Sequence, residues 1–299
     1  MTDDVAEIAR RAGERLIVKT DAIVEGRHYL SSDPADQVAK KLLRVNLSDL
    51  AGKGARPLGY VVAAAFPDGV SEAWIAAFAR GLGEDQRRFA VSLLGGDTTA
   101  TPGPATFALT VFGGVRGRLP RRSDARIGDE IWISGTLGDG ALGLRVSKGE
   151  FPGLPPAAAR ALVERYRLPE PRLEFGRLVL PFARASMDVS DGLVADLDHI
   201  CQASGVGARV LAEALPLSDA ASVLLAEAPE LFAEVMTGGD DYEVLFTAPA
   251  SSAARIAAAA RKAGVPATRI GYVGRGRSVR VLDRNGQAIE FGRRGYRHF

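Results

Sequence analysis

One cysteine, Cys201, and three histidines are all that 299 residues provide of those two types. A single thiol can build neither an internal disulfide nor a thiolate metal cage, so a reducing compartment is expected. His28, His199 and His298 show no ligand spacing, which leaves zinc without its usual donors. Charge of one sign is also missing: 38 Lys and Arg against 36 Asp and Glu leave a net +2, too little for a field that would hold nucleic acid. No apolar run is long enough to span a membrane, and MTDDVAEIARR carries acids where a secretory signal would place basic and apolar residues. A cytoplasmic chain with no membrane partner is expected. The P-loop pattern G-x-x-x-x-G-K-[ST] does not occur, and Gly52-Lys53-Gly54 is too short to replace it. What remains is the composition of an ordinary folded protein, 46% hydrophobic and 25% charged, sufficient for two compact units or one large one.

What the sequence does have is aspartate delivered repeatedly after apolar segments. Residues 16–18 read as a short strand leading into Lys19-Thr20-Asp21, 90–94 run into Gly95-Gly96-Asp97, 184–187 into Asp188, and 231–236 precede Gly238-Gly239-Asp240-Asp241. Between them lie helices. The first is expected after Asp33 and Pro34, with Val38, Leu42 and Val45 as its apolar stripe and Asn46 and Asp49 on one face, ending at Gly52 and Gly54. A second follows Asp191-Gly192 with Leu193, Leu197 and Ile200 buried, and a third covers residues 253–263. Strands are expected at 61–66 and 106–115, and Gly113-Gly114 followed by the basic stretch 116–122 reads as a joint. The domains are accordingly placed at 1–117 and 118–299. Trp74, Trp132 and Cys201 are expected in the core.

In sheets flanked by helices, ligands gather at strand ends, so carboxylates delivered there are candidates to converge. Hard oxygen donors with few histidines suit Mg²⁺, which binds through one or two carboxylates plus substrate phosphates. No segment has the spacing of an EF-hand loop. One competing signal is Gly138-Asp139-Gly140-Ala141-Leu142-Gly143, which follows a strand-like stretch and opens a helix, as a dinucleotide site would. That reading also needs an acid ending a second strand, and Glu164, at the right distance, lies in helix-like 157–167.

Five motifs then occur in one order: Val24-Glu25-Gly26-Arg27-His28, Asn46-Leu47-Ser48-Asp49-Leu50-Ala51, Leu94-Gly95-Gly96-Asp97-Thr98-Thr99, Asp188-Val189-Ser190-Asp191-Gly192-Leu193 and Gly238-Gly239-Asp240-Asp241-Tyr242-Glu243. Together they resemble the thiamine-monophosphate kinase family, which belongs with aminoimidazole-ribonucleotide synthetase and selenophosphate synthetase. The likeness runs from Asp3 to the closing Gly295-Tyr296-Arg297-His298-Phe299. It implies an α/β (α+β) chain of two domains: a dimerising amino-terminal domain with a mixed sheet, and a carboxy-terminal domain that completes the ATP and substrate site. The implied activity is phosphorylation of thiamine monophosphate to thiamine diphosphate by direct in-line transfer, the last step of thiamine diphosphate biosynthesis, with ATP as co-substrate and several Mg²⁺ ions.

By the same resemblance, Asp4, Thr20, Asp21, Asp49, Asp97, Asp188 and Asp191 hold the metal ions. Gly96, Asp97, Arg122 and Ser190 contact ATP, and His28 and Asp240 touch the thiamine substrate. No general base is assigned, because the acceptor phosphate is already an oxyanion. The chain departs from the family pattern at four places. The Asp-Asp pair stands at positions 3 and 4 with no leading segment, so a truncated start with a frayed end is expected. Lys19 stands where a hydroxyl is expected beside the metals, Asp240 where Glu is more usual, and Arg293 where an aromatic is expected. Three further readings stay open: another ATP-using enzyme of the superfamily, a dinucleotide-binding protein built on Gly138 to Gly143, and a binding protein without activity. Selenophosphate synthesis is disfavoured, since no reactive cysteine lies near the amino terminus, and purine synthesis fits the motifs less well.

Overall fold

The computed structural model describes residues 8, 11–293, 295 and 296. They form two compact units, one of residues up to 50 together with 55–117, the other of residues 51–54 together with 118 onward.

The first unit consists of β1 (Arg15–Val24), α1 (Ala35–Ala51, whose last residue groups with the second unit), β2 (Arg56–Pro67), α2 (Glu72–Phe89), β3 (Ser92–Thr101) and β4 (Thr106–Val115). Its sheet has the order β1-β4-β2-β3, with β2 and β3 parallel and the other pairs antiparallel. Alternation along β4 buries Phe107, Leu109 and Val111 on one face, as a sheet covered on one side requires. Helix α2 covers that face: Trp74 and Phe78 stack on Phe107, with ring centroids 6.2 and 4.5 Å away, and Phe66 meets them edge-on. Ser71 caps α2 by accepting the Trp74 amide at 3.2 Å, a contact worth about 1 kcal/mol. In α1, Val38, Leu42 and Val45 are buried as their spacing implies. The opposite sheet face carries Leu16 and Val18, 45% and 57% exposed.

The second unit holds β5 (Asp129–Ser134), α3 (Asp139–Ser147), α4 (Pro156–Arg167), α5 (Leu173–Val179), β6 (Ser186–Asp188), α6 (Leu193–Ser204), β7 (Gly207–Leu211), α7 (Asp219–Glu227), α8 (Phe232–Thr237), β8 (Val244–Pro249), α9 (Ala253–Ala263), β9 (Ala267–Gly274), β10 (Val279–Leu282) and β11 (Ala288–Ile289). Its sheet runs β11-β10-β7-β9-β5-β8-β6, antiparallel except between β10 and β7. Two clusters build the core. One packs Leu193, Leu197, Ile200 and Cys201 of α6 with Ile131, Ile133 and Met187, and the other packs Ile256 and Ala260 of α9 with Trp132, Phe175 and Phe246. Each fully buried Leu or Ile contributes about 1.5–3 kcal/mol.

Three sequence expectations are corrected. Asp21 lies inside β1 and Asp97 inside β3, so neither ends a strand. Their strands continue because Ile23 and Val24, and Thr98 to Thr101, are themselves strand formers paired to β4 and β2. The apolar stretch 231–236 is helical, mostly α8. Trp74 is half-buried in its ring cluster rather than enclosed.

Candidate functional site

In the first unit, β1 and α1 bring three charged side chains together. Lys19 and Asp21, two residues apart on a strand, point to the same face, and that face meets α1. Lys19 Nζ lies 3.2 Å from Asp21 Oδ1 and 3.0 Å from Asp49 Oδ2. Asn46, one turn before Asp49, accepts the Asp21 amide at 3.1 Å through Oδ1 and donates to Leu42 O at 2.9 Å. Among the described residues β1 is an edge strand of its sheet, and Asn46 supplies the Asp21 amide with its partner there. Burial pushes the Asp49 carboxyl up to about 6; Lys19 pulls the other way and Asp21 adds to the rise. For Lys19, burial acts downward but Asp49 and Asp21 together hold its pKa above the ordinary value.

The other residues singled out in this unit do not join that group. Thr20 faces the opposite side of β1, where its hydroxyl donates to Leu109 O at 3.1 Å and accepts from Thr110 at 3.0 Å. Asp97 falls in the row Ala22–Ala108–Ala63–Asp97, one row beyond that of Asp21. It therefore lies three strands away, about 14 Å across the sheet, and on the alternate face. Gly96 packs where a Cβ would sit 2.0 Å from Val62 O. His28 follows a turn made by Gly26 at φ +77° and accepts the Val24 amide at 3.0 Å through Nδ1. Asp4 lies outside the described residues.

In the second unit two loops are joined through their backbones. The loop after β6 and the loop before β8 exchange bonds from Val189 N to Glu243 O (2.9 Å), Tyr242 N to Val189 O (2.8 Å) and Asp240 N to Ser190 O (3.0 Å). Glycine is required at the contact, since a Cβ on Gly239 would stand 2.1 Å from Ser190 O. Asp188, Ser190, Asp191 and Asp240 are thereby brought to one edge of the unit. Asp196, in the first turn of α6, accepts the Ser190 and Asp191 amides at 2.9 and 3.0 Å. Ligand atoms of Asp191, Asp196 and His199 lie within 4.8 Å of one another. Burial, reinforced by Asp191 and Asp188, pushes the Asp196 carboxyl well above its ordinary range. Both acidic groups thus gain from a cation, and their oxygen donors suit Mg²⁺. The Tyr296 amide donates to Asp191 O at 3.0 Å, which places residue 296 against this loop. Arg122 is not part of the group: its carbonyl accepts Ser204 Oγ at the far end of α6, about 18 Å along the helix from Asp191. Arg293 pairs with Glu234 at 2.5 Å.

Below the paired loops lies a charged network that the sequence reading missed. Glu243 is fully buried and held by four donors. Arg172 reaches it through Nε (2.8 Å) and Nη2 (2.6 Å), Arg165 through Nη2 (3.0 Å) and Ser134 through Oγ (2.5 Å). Asp241 accepts the Gly138 and Gly140 amides at 2.9 and 3.2 Å. Burial pushes its carboxyl up to about 8, against those two amides. Beside these anchors Asp240 and Tyr242 stand at φ +71° and +54°, conformations that cost roughly 1–2 kcal/mol each in a non-glycine residue.

The same contacts explain the glycine fingerprint. A Cβ on Gly140 would stand 2.2 Å from Asp240 O, one on Gly143 2.0 Å from Leu162 O, and one on Gly138 2.6 Å from Val235. The amides at the start of α3 that a pyrophosphate would need are already taken by Asp241. Residue 164 lies in α4, not at a strand end. These glycines serve close packing of α3 against α4, α8 and the Asp240 loop.

Two mixed α/β units, each presenting clustered carboxylates, define the class. The family model "AIR synthase related protein, N-terminal domain" matches residues 2–115, and "AIR synthase related protein, C-terminal domain" matches 126–284. A thiamine-monophosphate kinase of Caulobacter vibrioides is 41% identical over 302 residues, covering 100% of this chain and 84% of the relative. The crystal structure of thiamine-monophosphate kinase from Stenotrophomonas maltophilia K279a aligns with a TM-score of 0.87 at 40% identity, covering 96% of this chain and 90% of that one. A structure described as "AaThiL complexed with AMPPCP and TMP" aligns with a TM-score of 0.84 at 29% identity, over 98% of this chain and 90% of that one. The chain belongs to the thiamine-monophosphate kinase family.

Proposed function

We propose that this chain transfers the terminal phosphoryl group of ATP to the phosphate of thiamine monophosphate, giving thiamine diphosphate. The observation that carries the reading is the joining of the 188–192 and 238–243 loops. It sets Asp188 and Asp191, candidates for metal, and Ser190, a candidate for ATP, beside Asp240, the candidate for the thiamine substrate.

The chemical obstacle is charge. ATP and a phosphate monoester together bring roughly five to six negative charges. Mg²⁺ bound between carboxylates and phosphates supplies the neutralisation. Asp188 and Asp191 would hold such an ion in the second unit, and Asp21 and Asp49 are the candidates in the first, where the Lys19 ammonium shares both carboxylates. Asp97 lies too far from the Asp21–Asp49 pair for one ion to be shared with it inside the same chain, so it belongs to a separate position with Gly96. Thr20 and Asp4 would be further donors. Ser190 would contact ATP phosphates, and Arg122, a helix length from Asp191, would meet the nucleotide away from the transferring group. His28 and Asp240 would orient the acceptor. The acceptor oxygen needs no general base, so positioning and charge stabilisation suffice for in-line transfer.

A homodimer is part of the same proposal, supported by the exposed Leu16 and Val18 on the first unit's sheet. A cytoplasmic location fits a biosynthetic kinase; among the described residues no helix is long and apolar enough to cross a membrane. Incubating the purified chain with ATP, Mg²⁺ and thiamine monophosphate is expected to yield thiamine diphosphate, with unphosphorylated thiamine as the control acceptor. No product, or equal consumption of both acceptors, would overturn the assignment.

A further inference from the structure

Lys19 stands against both carboxylates of the Asp21–Asp49 pair, and its position is that of a bridging ion. Its ammonium contacts one oxygen of each carboxylate at 3.2 and 3.0 Å, and the strand and helix that carry them are fixed to each other by Asn46. The backbone delivers the ammonium as it delivers Asp21, from the same face of β1. It is about one-third exposed and Asp49 about one-fifth, so the group is wet enough for ligand exchange yet screened enough for the charges to matter.

We infer that Lys19 is a resident cation which takes the place of one divalent ion at Asp21 and Asp49. Two carboxylates brought this close need a positive charge between them. In this chain a covalently attached ammonium fills that need, and a divalent ion can bind both carboxylates only after displacing it. The consequence reaches the reaction: the first unit offers one fixed positive charge to the phosphates where an exchangeable ion would offer two, and the chain depends less on Mg²⁺ at that position. Lys and a divalent ion also differ in directionality, since an ammonium donates hydrogen bonds and leaves no coordination site for a phosphate oxygen. The functional half of this inference rests on the kinase reading. The electrostatic half concerns the pair alone.

The test is Mn²⁺ binding to the full chain without nucleotide, read by electron paramagnetic resonance and titration calorimetry. It uses the wild type, Lys19→Ser, Lys19→Met and the double variant Lys19→Ser with Asp49→Asn. Both single variants are expected to gain one Mn²⁺ per chain, or to tighten one site by at least about tenfold, because a unit charge some 3 Å away no longer opposes the ion. The gain should vanish in the double variant, which assigns it to the pair. Thermal unfolding without metal should fall in both single variants and recover on adding Mg²⁺, whereas the wild type should respond less. Unchanged stoichiometry and affinity in the single variants, or a gain that survives Asp49→Asn, would overturn the inference. None of these readouts needs turnover. An inactive chain whose Lys19 variants gain an ion would sink the kinase reading alone, and an active chain whose variants gain none would sink this one.

Discussion

Replacing Glu243 by Gln tests whether the candidate substrate loop is held by buried charge. Glu243 has no exposure and stands opposite two guanidiniums. The change keeps volume and shape but leaves Arg165 and Arg172 without a full countercharge, and it turns an NH₂ toward donors. Removing one member of a buried ion pair costs about 3–5 kcal/mol. At roughly 2–4 °C per kcal/mol for a unit of this size, the melting point should drop by about 6–20 °C. Each unit contains one of the two tryptophans, Trp74 in the first and Trp132 in the second. In a Trp74→Phe background, the fluorescence of the buried Trp132 therefore reports unfolding of the second unit alone.

A double-mutant cycle with Arg172→Met separates the pair from general damage. The bidentate contact at 2.8 and 2.6 Å should give a coupling of about 1–3 kcal/mol, with the double variant less damaged than the two single losses summed. The loop should register the change as well: with Asp240 and Tyr242 no longer pinned at positive φ, KM for thiamine monophosphate should rise more than kcat falls. A melting shift under about 2 °C, or strictly additive losses, would refute the claim that this network clamps the loop.

Other outcomes follow from the same geometry. Asp191→Asn should lower thiamine diphosphate formation by at least about a hundredfold, and near-normal turnover would remove Asp191 from the site. Gly140→Ala improves helix propensity, yet its Cβ would meet Asp240 O at 2.2 Å. Destabilisation by about 1–3 kcal/mol with a raised KM is expected, and a stabilised variant would show that the loop is not packed as described. Asp241 titrates near 8 in the folded unit against an ordinary value of 3.8. Between those values the folded state keeps a proton that the unfolded chain releases, so this group's contribution to stability falls as pH rises, by at most about 1.4 kcal/mol per unit. In urea unfolding from pH 5 to 7.5, Asp241→Asn should flatten that decline; identical slopes would mean that the Gly138 and Gly140 amides keep the carboxylate ionised.

The sequence made some of this legible and hid the rest for identifiable reasons. The stripe of Leu193, Leu197 and Ile200 is a local periodicity, and α6 follows from it. Asn46 and Asp49 share a face for the same reason, and the structure turns that face toward Asp21. Strand lengths were misjudged where polar residues continue an edge strand: Lys19, Thr20 and Asp21 read as a strand end, but their pairing to β4 runs unbroken to Val24. The pattern Asp196-x-x-His199, one helical turn apart behind Asp191, was a readable signal for the acidic group at the start of α6.

The buried network was not readable, because its information is entirely long-range. Arg165 and Arg172 reach Glu243 across 78 and 71 residues, and in sequence they look like helix-surface arginines. Nothing local marks Asp240 and Tyr242 as left-handed, since side chains of those types are ordinary in any loop. The glycine fingerprint misled for a related reason. Close packing of backbone against backbone and close approach of a pyrophosphate make the same demand on a residue, the absence of a Cβ. Only the partner distinguishes them, and here the partners of Gly140 and Gly143 are carbonyls of the chain itself. The amides that would greet a phosphate instead hold Asp241, which anchors the loop carrying Asp240. A motif that suggests a second ligand site is thus part of the support for the first.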